Sequence, residues 1–150
     1  MRKLLIILTA ISGLVMAKEY PESYDAVSEK YEAVGFSNLS EKEQAIYTIW
    51  WLEAEVNNGG FHQYFWNSSG EHAVFALKSL NNIGATKTAS LLQRAIDVAF
   101  NGKLPESRLE RQNHLKIDED SKMGKLGNLD SEFYEYSENF YEMLDVYVAK

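Results

Sequence analysis

The stretch EVNNGGFHQYFWNSSG, residues 55–70, carries a glutamate, several amides, two adjacent glycines, a histidine and four aromatic rings. The segment before it decides how it is read. Ser40 followed by Glu43 is a capping box, in which each side chain satisfies a free backbone N–H at a helix start. The helix opened there is predicted to run to about Val56, with Ile46, Ile49, Trp50 and Glu53 along one face and Tyr47, Trp51 and Glu55 along another. A helix apolar on two faces is surrounded by protein. Asn57, Asn58, Gly59 and Gly60 tolerate helix-ending turns, and a short helix from Phe61 to about Asn67 follows. The pattern is helix, corner, helix, with polar groups at or near the core.

Two readings of that corner stand side by side. A buried carboxylate must be hydrogen-bonded or neutralised, and the donors nearby are Asn57, Asn58, His62, Gln63, Tyr64 and the N–H groups of Gly59 and Gly60. In a structural joint these groups satisfy the backbone that the corner leaves open. In an enzyme, His62 or Glu55 is the acid–base group and an amide stabilises developing charge. A pocket for a small ligand or partner is a third use of the same residues. Glu53 and Glu55 alone make no carboxylate dyad, because residues two apart on a helix project about 200° from one another. His62, His72 and His114 lack the i, i+4 pairing of a helical metal site, and Asp118, Glu119 and Asp120 lack the ligand ladder and central glycine of a calcium loop. No metal or cofactor is expected.

Outward from the corner the chain reads as helices joined by short turns. A weak helix opens at Pro21 and closes at Gly35. His72 to Asn82 carries Ala73, Leu77 and Leu80 at helical spacing, ended by Gly84. Thr86 to Phe100 repeats the pattern, and Pro105 to about Leu115 is a modest helix. Lys116 to Asn128 holds two glycines and dense charge and is read as a loop. Asp130 is read as the cap of a last helix with Phe133, Phe140, Leu144 and Val148 on one face. Strand signals are scarce. The expectation is a single all-α domain, 18–150, built as an irregular bundle of about six helices.

The chain of 150 residues suits one domain with a sizeable core, and its 45% hydrophobic content places it among globular proteins. MRKLLIILTAISGLVMA, residues 1–17, has the charged, apolar and small-residue order of a secretory signal peptide. The mature chain then begins at Lys18, in the periplasm or outside the cell and with no membrane attachment. Translation from Met16 would instead give a cytoplasmic protein. With no cysteine, the fold has neither disulfides nor thiolate metal sites. Without Arg2 and Lys3 the 15 basic residues fall to 13 against 22 acidic ones, a formal charge of −9. Direct binding to nucleic acid is disfavoured, since phosphate contacts require clustered Lys and Arg. A basic protein surface is the partner such a charge favours.

IYTIWWLEAEVNNGGFHQYFWNSSG together with ALKSLNNIGATKTASLL resembles the DNA-mimic protein family of bacteria, over about residues 39–148. The pattern E-x-N-N-G-G-F-x-Q-Y-F, here Glu55, Asn57, Asn58, Gly59, Gly60, Phe61, Gln63, Tyr64 and Phe65, carries the likeness. The resemblance implies an all-α fold, dimerisation, and an acidic surface that imitates duplex phosphates to occupy a DNA-binding protein. It implies no enzymatic activity and no cofactor.

Acid is concentrated at the two ends of the mature chain. Residues 18–60 hold 9 acidic and 3 basic groups, and residues 129–150 hold 6 and 1. Glu135, Glu138, Glu142 and Asp145 recur every three or four residues, as a partner-binding stripe on the last helix or as its solvated face. The expectation is a non-enzymatic interaction module. Its alternatives are an immunity-like inhibitor of an envelope toxin and a periplasmic hydrolase using His62 and Glu55.

Overall fold

The computed structural model describes residues 22–150, so the signal-peptide reading of residues 1–17 and the helix start at Pro21 lie outside the described residues. Seven α-helices and two short 3₁₀ turns follow one another, with no strand among the described residues. They are α1 (Glu22–Val34), a turn at Phe36–Asn38, α2 (Glu41–Trp66), a turn at Ser68–His72, α3 (Ala73–Ile83), α4 (Thr86–Phe100), α5 (Arg108–Lys116), α6 (Glu119–Tyr134) and α7 (Phe140–Ala149). The all-α bundle expected from periodicity is the fold of the described chain.

The central member is α2. Its first arm, 41–58, begins at the capping box: Ser40 Oγ accepts from the Glu43 N–H, and the Ser40 N–H donates to Glu43 Oε2. Ala45, Ile46, Ile49, Leu52 and Val56 are buried on different sides of this arm, as the two apolar faces require. The other helices pack around it: α1, α3, α6 and α7 all contact α2. Its second arm, 61–66, leaves at the Gly59–Gly60 kink and buries Phe61, Tyr64 and Phe65 completely. Phe61 meets Phe133 of α6 edge-on, and Phe65 meets Phe100 of α4 in the same way. The corner thus joins three helices through aromatic rings.

Two expectations near the C-terminus are corrected. The segment 116–128 is no loop, because α6 runs through most of it. Leu126, Leu129 and Phe133 are buried on one face of α6 at a spacing of three and four residues, while a Cβ at Gly124 or Gly127 would face open space. Packing against α4 and α2 therefore outweighs the helix penalty of about 1 kcal/mol per glycine. The last helix, in turn, is two. Tyr136 takes a left-handed φ of 46°, ending α6, and α7 restarts at Phe140, with Asn139 Oδ1 accepting from the Glu142 N–H. Asp130 lies in the middle of α6 and does not cap that helix. A smaller difference concerns α5, which starts at a second capping box, Ser107 with Glu110, instead of at Pro105.

Candidate functional site

The corner is stitched from three directions. From within, the buried Glu55 carboxylate reaches over the kink. Oε2 accepts from Gln63 Nε2 at 2.8 Å and from Asn67 Nδ2 at 2.9 Å, and Oε1 accepts from Ser69 Oγ at 3.3 Å. One side chain of the first arm therefore holds the second arm, its C-cap and the following 3₁₀ turn. Hydrogen bonds to an ionised acceptor are the strong ones.

From α6, Asp130 Oδ1 accepts from the Phe61 N–H at 2.8 Å, capping the second arm in place of a residue of its own segment. Burial raises the Asp130 pKa above the ordinary carboxylate value, while the Phe61 N–H and the nearby His62 pull it down. Gly60 permits this approach. It has φ 76° and ψ −178°, a region open essentially to glycine alone, and a Cβ there would collide with the Asp130 carboxylate. Tyr134 Oη donates to the Val56 carbonyl at 2.8 Å, closing the first arm. Tyr136 Oη donates to Glu53 Oε1 at 2.7 Å and accepts from Asn57 Nδ2 at 2.6 Å. Burial pushes the Tyr136 phenol above its usual range, and the Glu53 carboxylate adds to the shift.

From α5, three side chains cover the end of the second arm. Arg111 donates from Nε to the Phe65 carbonyl and from Nη2 to that of Asn67, at 3.1 and 3.2 Å. Arg108 and Gln112 both donate to the Trp66 carbonyl. These positions, at i, i+3 and i+4, form one face of a helix whose Leu115 is fully buried on the same side, so α5 both caps the second arm and packs into the core. Arg111 is fully buried. Desolvation lowers its pKa, and the Glu71 carboxylate opposes that shift. Desolvation also raises the pKa of the buried Tyr64 phenol.

The residues singled out in the sequence fall into different roles. Glu53, Glu55, Asn57, Gln63 and Gly60 belong to the stitching, and Phe61 and Tyr64 to the core. Gly59 sits where a Cβ would collide with the Gln63 side chain. Asn58 is exposed and makes no side-chain hydrogen bond among the described residues. His62 and Glu55 are not brought together. The His62 ring stacks on Trp66 at 5.8 Å, and its Nε2 lies 3.7 Å from Glu119 Oε1, while Lys116 Nζ stands 5.5 Å from the Trp66 ring centroid. Among the described residues no group of three or more His, Asp or Glu side chains is placed to hold a metal ion. A depression of about 350 Å³ between α4 and α6, lined by Arg94, Asp97, Val98, Lys125, Asn128 and Leu129, shares no residue with the corner.

The proposed stripe is dispersed. Glu135 ends α6, and Glu138 lies in the link, where its Oε1 accepts from the Thr88 N–H and caps α4. Glu142 and Asp145 ride on α7, with Glu142 bonded to Asn139. The break at Tyr136 is the physical reason that the four carboxylates share no helix face. On α1, by contrast, Asp25, Glu29 and Glu32 are all exposed at helical spacing. Sequence reading also missed Asp130, Tyr134, Tyr136, Arg108 and Arg111. Each lies 42 or more residues from its partner at the corner, and no local signal marks it.

Residues 37–150 match the family model described as DMP19-like protein. No curated protein and no solved structure matches the chain.

Proposed function

The chain belongs to the DMP19-like protein family, and on that premise we propose that it is a DNA-mimic-type interaction module whose acidic exterior occupies the basic face of a DNA-binding protein. The observation that supports this reading is how the charges are distributed. Lys30, Lys78 and Arg94 pair with Glu43, Glu41 and Glu132, and Lys42, Lys122, Arg108 and Arg111 donate to backbone carbonyls. Most of the cations among the described residues are therefore committed within the molecule. Asp25, Glu29, Glu32, Asp120, Glu135 and Asp145 are exposed and form no ion pair among the described residues. Along α1 the carboxylates rise by about 5 Å per step, sparser than the phosphates of a DNA strand but of the same order.

Binding without catalysis is part of this reading. The Glu55 oxygens are engaged by three donors, and His62 faces other residues, which suits a joint better than an acid–base pair. No helix among the described residues is long and apolar enough to cross a membrane. With the export signal read at residues 1–17, the partner is a basic protein met in the envelope or outside the cell. A purified N-terminus at Met1 or near Met16 would place it in the cytoplasm instead.

The test is competition. Partner captured from host extract should be released by duplex DNA, because both ligands claim one face. A variant with Glu29→Gln, Glu32→Gln, Glu135→Gln and Asp145→Asn should keep its fold, associate about tenfold more slowly at low salt, and show a flatter salt dependence. A partner that holds DNA and this protein at once, or a variant that binds as wild type does, overturns the proposal.

A further inference from the structure

Among the helices, α1 is held in a distinct way. It packs chiefly on α2 and on the 36–38 turn, and of residues 23–34 only Tyr24 and Val27 are buried. Two ring stacks fix it: Tyr24 on Trp50 with centroids 3.9 Å apart, and Tyr31 on Tyr47 at 4.5 Å. The one ion pair it makes to α2 that the structure shows, Lys30 with Glu43 at 2.9 Å, is exposed and adds little. Beneath α1 lie Tyr47 and Trp50, and the Trp51 ring meets both of them. All of α1 also precedes the family-matched segment, 37–150.

We infer that α1 is a strap that lifts as a unit about Gly35, uncovering the Tyr47–Trp50–Trp51 face of α2 while α2 to α7 stay folded. Gly35 is suited to be the hinge. Its φ of 78° and ψ of 163° belong to the region open essentially to glycine, and nothing lies within 4 Å of a Cβ built there. Beyond the stacks, the closed state is latched at the hinge itself. The Gly35 N–H donates to the Tyr31 carbonyl at 2.8 Å, and Asn38 Nδ2 donates to the Val34 carbonyl at 2.7 Å. The side chains freed when these contacts open are Tyr24, Val27 and Tyr31, whereas α3 and α4 each pack against several other elements and open only with the whole domain. Lifting carries Asp25, Glu29 and Glu32 away from the body and presents aromatic rings beside Glu43. The inference concerns the free protein and does not depend on which partner it binds.

Hydrogen exchange on the full chain tests it. Amides of residues 27–34 should open with similar constants, at protection factors about 100-fold or more below those of α3 and α4. Gly35→Ala strains only the hinge, so it should raise exchange in α1 roughly tenfold and leave α3 and α4 unchanged. Tyr31→Ala should give the same pattern by removing a stack, with the hinge intact. In both variants acrylamide should quench tryptophan fluorescence more strongly. Exchange of α1 only at the global unfolding rate, or loss of protection spread equally over all helices in both variants, overturns the inference.

Discussion

Replacing Glu55 with alanine measures how much the corner depends on its carboxylate. The change removes one acceptor group and strands three donors. Two of the bonds are well formed, from Gln63 and Asn67 at 2.8 and 2.9 Å, and the third, from Ser69, is longer at 3.3 Å. Gln63 and Asn67 are only half-buried, so water recovers part of the loss. Each good bond to the ion is therefore set at the low end, about 1.5 kcal/mol, which gives about 3 kcal/mol for Glu55→Ala. Urea unfolding should show it. With a slope of about 2 kcal/mol/M, the midpoint falls by about 1.5 M. Glu55→Gln is the informative control. Its amide oxygen can still accept from Gln63 and Asn67, and its NH₂ can donate to the rotatable Ser69 hydroxyl, so only the charge assistance is lost, about 1 kcal/mol. A loss below about 1 kcal/mol for alanine, or equal losses for alanine and glutamine, would refute the stitching account.

Two further outcomes follow from the same geometry. Gly60→Ala should destabilise by about 3 kcal/mol or more in denaturant titration, since the backbone strain and the collision with Asp130 act together; a change under about 1 kcal/mol would mean that the kink can relax. His72 is stacked on Phe36 at 4.0 Å, and burial lowers its pKa from the ordinary 6.5, with Glu71 opposing. A depressed histidine contributes stability that is complete above pH 6.5 and is lost as pH falls below that value through the folded pKa. His72→Phe should flatten the melting-temperature profile over that window, and an unchanged profile would show that another group governs it.

Much of the fold is written locally. The Ser40–Glu43 capping box, the glycine at position 84 and the left-handed Asn101 each act within one turn, so short-range reading finds them. The region 116–139 is not local in this sense. Two glycines and a run of charges suggest a loop, and only burial of Leu126, Leu129 and Phe133 makes a helix of it. Conversely, nothing in Glu135–Asn139 breaks helical periodicity, and the interruption at Tyr136 accompanies the reach of its phenol to Glu53 and Asn57. The candidate site divides the same way. Glu55 finds its donors within fourteen residues, but only Gln63 is among the donors expected at the corner, since Asn67 and Ser69 lie past the end of the motif at Phe65. The caps from Asp130 and Arg111 come from helices that only the tertiary fold brings near.

The second arm of α2 has a consequence for chain length. In six residues, 61–66, it carries three fully buried rings and is closed at one end by Asp130 and at the other by α5. So short a helix has little stability of its own, and its register is set entirely from outside. Inserting one residue would turn everything beyond it by about 100°, swinging the later rings out of the core and moving the terminal carbonyls off Arg111. The distance from kink to C-cap is therefore a fixed ruler. Related chains should gain or lose residues in the exposed link around Lys103, past the Asn101 cap of α4, and keep this interval constant.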